Sequence, residues 1–194
     1  MIWLTTIVIV LYIYGNWSHL LYQNLLTMEK SVDAVDVLEN GAEVLRDHPD
    51  FREARQWAEA NGFEPWGMID LFGPTGRMTM AMWEDAETTC TLTSYEVPRL
   101  KRHGFELATP LGDKELLSTV DMDVGNAYPH PPGIFVQTFH GADLNQLQEM
   151  HEAAKRYLAT NRDLHPVPRR EPMEVGLQTA IRRHAAYLRS VPFA

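Results

Sequence analysis

Residues 66–95 read WGMIDLFGPTGRMTMAMWEDAETTCTLTSY, and the period of this stretch decides the fold. Residues 66–72, 77–83 and 88–95 read as strands, separated by the connectors Gly73-Pro74-Thr75-Gly76 and Glu84-Asp85-Ala86-Glu87. Links this short make hairpins, so the strands pair antiparallel. Side chains two apart in a strand share a face, which puts Met78, Met80 and Met82 together with Thr79 and Ala81 between them. Such a row reads as adaptable core. The rival reading makes Met78, Met80, Met82 and Trp83 the lining of a groove for a small ligand or peptide.

Working toward the C-terminus, residues 105–109 and 116–121 flank Pro110-Leu111-Gly112-Asp113 as a further hairpin. A proline-rich loop at 128–133 precedes a last strand over 134–139. Asp143 then reads as the N-cap of a helix with Leu144, Leu147, His151, Ala154 and Leu158 on the face that packs on the sheet. A turn-rich linker at 163–170 leads to a final helix from Pro172 to about Arg189. In the other direction, Val32, Val35, Leu38, Ala42 and Leu45 recur at helical spacing. They predict an amphipathic helix over 31–46, weakened at Gly41, and a second helix follows over 51–60. The fold class is α+β: an antiparallel meander of about five strands with flanking helices on one face or at its ends. The segments are a helical connector at 28–62, the α+β domain at 63–162, and a linker with C-terminal helix at 163–194.

Residues 1–28 contain no Asp, Glu, Lys or Arg, whereas Glu29 and Lys30 open a strongly charged remainder. A hydrocarbon core needs about 20 largely apolar helical residues. The run therefore predicts a single transmembrane helix over 1–27. Trp3 stands near one end and Trp17 and Tyr22 near the other, where aromatic rings favour the headgroup level. From Trp3 to Tyr22 a helix rises roughly 28 Å, close to one hydrocarbon thickness. No basic residue precedes the apolar core, which argues against a cleaved signal. The competing reading is a strand or buried helix, because Ile2, Ile7, Val8, Ile9 and Val10 also suit β-structure. Asn16, Ser18, His19, Gln23 and Asn24 are poorly suited to lipid, so they belong at an interface or against protein. Trp3, Trp17, His19 and Tyr22 are accordingly the expected contact residues, and the bilayer and integral membrane proteins the expected partners. Lys30, the positive charge nearest the span, follows it, which places the domain on the cytoplasmic side.

A formal charge of −9 argues against nucleic acid as a partner, since phosphate binding needs a clustered basic face. Cys90 is the single cysteine, which excludes an intrachain disulfide and any all-cysteine metal site within the chain. His130, His140 and His151 are the candidate metal ligands, because three imidazoles hold zinc with one position open. No two of them share the i, i+4 spacing that fixes ligands on one helix. His19 is conceivable as a macrocycle ligand, but an interfacial histidine reaching toward headgroups accounts for it. Asp121 and Asp123 lack the terminal Glu of a calcium loop, and turn chemistry accounts for them. There is neither a Gly-x-Ser-x-Gly elbow nor a His-Glu-x-x-His helix, no acid/base pair is assigned, and no cofactor is expected. The sequence thus predicts a non-catalytic, single-pass accessory subunit of a larger membrane complex, of respiratory, photosynthetic or transport type. A membrane-anchored binding module and a metal-dependent hydrolase built on the three histidines are the alternatives.

Overall fold

The computed structural model describes residues 36–38, 41–73, 76–85, 87–97, 102–121, 129–169 and 171–191. The membrane helix expected over 1–27, with Trp3, Trp17, His19 and Tyr22, lies outside them. Among the described residues no helix is long and apolar enough to cross a membrane.

The α+β class is what the chain adopts. Its sheet has seven strands in sequence order: β1 (Asp36–Val37), β2 (Glu64–Gly73), β3 (Gly76–Asp85), β4 (Cys90–Val97), β5 (Arg102–Pro110), β6 (Leu116–Val120) and β7 (Ile134–Thr138). Strands β1 to β6 run antiparallel; short hairpin links impose this from β2 to β6, whereas β1 reaches β2 through residues 38–63. The expected all-antiparallel meander fails at the last pair, because β7 lies parallel to β6 and the sheet is mixed. The thirteen residues 121–133 between them permit this: a parallel pair needs a crossover of about a dozen residues, which a hairpin link cannot supply and this connection can.

The helix expected over 31–46 is also corrected. Asp36 and Val37 pair with Asp70 and Ile69 as an edge strand, and helix α1 covers only Gly41–Asp47. Leu38 N–H continues the sheet bonding by donating to the Met68 carbonyl at 3.1 Å. A Cβ at position 41 would stand 2.7 Å from the Met68 backbone nitrogen, so glycine is what lets the helix begin against β2. The helical spacing of the apolar residues is genuine, but the backbone groups of β2 take the segment for the sheet. A 3-10 turn (Pro49–Phe51) then leads into α2 (Arg52–Ala60).

Helix α3 (Leu144–Arg162) starts at the expected cap. The Asp143 carboxylate accepts from Gln146 N–H while the Gln146 side chain accepts from Asp143 N–H, a complete capping box. Helix α4 (Met173–Ser190) closes the chain.

The helices cover both faces of the sheet, where one face or the ends were expected. On the first face Met68, Ala81, Trp83, Cys90, Leu92 and Leu107 pack with Leu45 of α1, Ala54 and Ala58 of α2, and Leu144 and Leu147 of α3. On the second, Ile69, Leu71, Met80 and Met82 pack with Met173, Leu177 and Ile181 of α4. Arg169, in the linker, ties α4 down at one end: its Nη2 donates to Thr91 Oγ1 at 2.6 Å and its Nε lies 3.2 Å from Glu84 Oε1.

Candidate functional site

The period of two along β3 separates the residues proposed for a ligand groove. Met80 and Met82 are buried under α4 and Met78 packs beside them. Trp83 points to the opposite face, under α1 to α3, and is 1 % exposed. The helix that covers the methionines is α4, whereas α3 lies on the other side. The four side chains therefore do not line one surface.

The three candidate metal ligands are likewise distributed. His140 is exposed in the turn after β7. His130, in the proline-rich loop, packs against His184 of α4 with ring centroids 5.3 Å apart. His151 is 1 % exposed beneath the first face of the sheet. Among the described residues no group of three His, Cys, Asp or Glu side chains is arranged to hold a metal ion.

His151 is instead the centre of a buried polar node. Its Nε2 is 2.8 Å from Thr109 Oγ1 on β5 and its Nδ1 is 2.8 Å from Thr119 Oγ1 on β6. Gln137 of β7 donates from Nε2 to Thr119 Oγ1 at 2.7 Å, and to the Met150 carbonyl at 3.2 Å. The node thus links three strands to α3 through hydrogen bonds, each satisfying a group that burial would otherwise leave costly. Burial, with the Lys155 ammonium adding to it, pushes the imidazole from its ordinary 6.5 down to about 3. It is neutral at pH 7.

Cys90 Sγ lies 3.9 Å from His151 Nε2. Burial pushes this thiol up to about 11. With the cysteine protonated and the imidazole neutral, the pair is not the thiolate and imidazolium that a nucleophilic cysteine site needs. Its chemistry is that of a packed polar core.

The second face carries a node that sequence reasoning missed. Glu106 of β5 accepts from Tyr95 Oη of β4 and from Ser118 Oγ of β6, the latter at 2.6 Å. Burial raises the Glu106 carboxyl above its ordinary value, and the Ser118 hydroxyl offsets only part of that. Strand alternation puts Tyr95, Glu106 and Ser118 on one face once the register is known, but the register needs the ends of the β4–β5 link. On β2, burial also pushes the Asp70 carboxyl up, but the bonds from Arg77 and Thr79 outweigh it and leave the group below its ordinary value.

His184 was missed too, because nothing in the spacing of positions 130 and 184 relates them. Its Nε2–H donates to the Pro129 carbonyl at 3.1 Å, and the preceding Arg183 donates to the carbonyls of Lys114 and Pro132. These bonds dock α4 on the proline-rich loop. Burial holds the His184 imidazole below its ordinary value; its bond to Pro129 works against this, and His130 reinforces it.

Comparison of the chain with protein-family models, with curated proteins and with solved structures finds no match.

Proposed function

We propose that the protein is a non-catalytic accessory subunit of a membrane complex, in which residues 1–22 insert into the bilayer and pack against other spans while the α+β domain covers or links their exposed faces. The observation that carries this reading is the charge-free run Met1 to Met28, followed at once by a domain of mixed charge. Thirteen residues, 23–35, separate the inserted segment from the first strand of the sheet at Asp36. At about 3.3–3.6 Å each they span at most roughly 47 Å. A tether of this length keeps the domain near the membrane face of whatever the helix joins. The polar nodes add support, since the His151 hydrogen bonds are spent on holding strands and helix together.

The test is extraction of native membranes in mild detergent after an alkaline wash. The full chain is expected to resist the wash and to elute with stoichiometric integral membrane partners, and a chain lacking residues 1–22 to lose both properties. A full chain that washes off, or that elutes alone, removes the proposal. So does a truncated chain that stays on the complex.

A further inference from the structure

The C-terminal half of α4 meets the proline-rich loop through two imidazoles, and their arrangement has a chemical use that helix docking does not exhaust. A zinc ion binds imidazole nitrogen at about 2.0–2.1 Å in tetrahedral geometry, so two rings on one ion have centroids roughly 5.2 Å apart. The rings of His130 and His184 stand 5.3 Å apart, tilted by 55°. Metal-bound histidines also commonly donate their other ring N–H to a backbone carbonyl, which fixes the tautomer and turns the lone pair of the remaining nitrogen outward. His184 has that bond, from Nε2–H to the Pro129 carbonyl, which leaves Nδ1 as its donor atom.

The segments that carry the two imidazoles are held by their surroundings. The loop is pinned where Leu116 N–H donates to the Gly133 carbonyl at 3.0 Å and Ile134 N–H to the Pro131 carbonyl at 3.1 Å. Gly133 has φ +88, and a Cβ there would come within 3.1 Å of the Lys114 carbonyl oxygen, so the turn that presents the loop requires glycine. On the helix side, Arg183 clasps the carbonyls of Lys114 and Pro132, setting the rotation of α4 that brings His184 to His130.

We infer that His130 and His184 form a two-histidine site for a divalent transition-metal ion of the zinc and copper type, bridging the proline-rich loop and the C-terminal helix. The remaining coordination positions belong to water or to a donor from a bound partner. Two imidazole nitrogen ligands favour copper over zinc in intrinsic affinity and bind magnesium or calcium poorly. The ion would staple α4 to the loop across 54 residues of sequence. The site uses one of the three histidines that the sequence singled out, with a second from a different element.

The test is titration of the untagged, full-length protein in detergent with Zn2+ alone, followed by calorimetry, alongside His130→Gln, His184→Gln and His140→Gln. Glutamine at 184 retains an amide that can donate to the Pro129 carbonyl, and circular dichroism checks that each variant is folded. The expected result is one Zn2+ per wild-type chain, at least tenfold weaker binding in each of His130→Gln and His184→Gln, and unchanged binding in His140→Gln. With Cu2+, the electron paramagnetic resonance spectrum is expected to show two imidazole nitrogens in the wild type and one in either variant. Absence of Zn2+ binding by the wild type, or equal binding by the wild type and either of the two variants, overturns the proposal.

Discussion

His151 shows how one residue type in one pattern supports two readings, and how burial chooses between them. On the apolar stripe of α3 it reads chiefly as a partly buried histidine with satisfied nitrogens, and secondarily as a metal ligand facing a site. Two threonine hydroxyls at 2.8 Å and an exposure of 1 % decide for the first. The choice has a pH consequence. A native value near 3 against an ordinary 6.5 means that the unfolded chain takes up a proton the native node excludes. The stability that the neutral imidazole contributes is fully present above pH 6.5 and is lost as pH falls from 6.5 toward 3. At about 1.4 kcal/mol per unit, the full loss is on the order of 4–5 kcal/mol. In urea unfolding at pH 7 and pH 4.5, His151→Gln is expected to be less stable than wild type at pH 7, with the gap narrowing at pH 4.5. A gap independent of pH would show that His151 does not titrate this way.

At the scale of elements, backbone pairing overrode side-chain period where the two competed. Cap and turn chemistry placed α3 correctly at Asp143, because the capping box is a local device that the sequence spells out. The apolar residues between 32 and 45 matched a helix, yet Asp36 and Val37 joined the sheet, since the free edge of β2 lies outside the sequence window in which a helical period is read. Gly41 is where this was legible: it lowered helix propensity at the residue where α1 begins. Its substitution provides the element-scale prediction. Gly41→Ala places a Cβ 2.7 Å from a backbone nitrogen that cannot swing away, so α1 and β2 must separate. Overpacking of this kind typically costs about 1–3 kcal/mol, at or above the gain of up to about 1 kcal/mol that alanine offers a helix interior. Thermal unfolding is expected to show a lower midpoint; a raised one would mean that α1 does not sit against β2.

For the whole molecule, the question is which layers close the sheet. Hairpin signals gave the antiparallel order of the strands in the 66–95 stretch, but no local pattern says that α4 returns to cover the face opposite α3. That arrangement makes Met80 and Met82 core, and it predicts graded costs. Met82→Ala, at 5 % exposure, is expected to cost about 2–4 kcal/mol through lost burial and an unfilled cavity. Met78→Ala, on the same row but only partly buried, is expected to cost less than half as much. Chemical denaturation of the two variants measures the difference. Equal and negligible costs would place the row on an open surface, as a ligand groove requires, and would remove α4 from that face.

The sequence by itself determined what depends on near neighbours: the α+β class, the hairpins, the cap at Asp143, the shared face of the three methionines and the charge-free character of residues 1–28. Each rests on a period, a turn or a composition contained within about thirty residues. Tertiary structure alone decided the parallel pairing of β7, the covering of both faces, the closure of His151 between Thr109 and Thr119, the Tyr95–Glu106–Ser118 node and the meeting of His130 with His184. All of these join segments that are distant in sequence. Their geometry is set by strand register and helix rotation, which follow from how the whole chain packs.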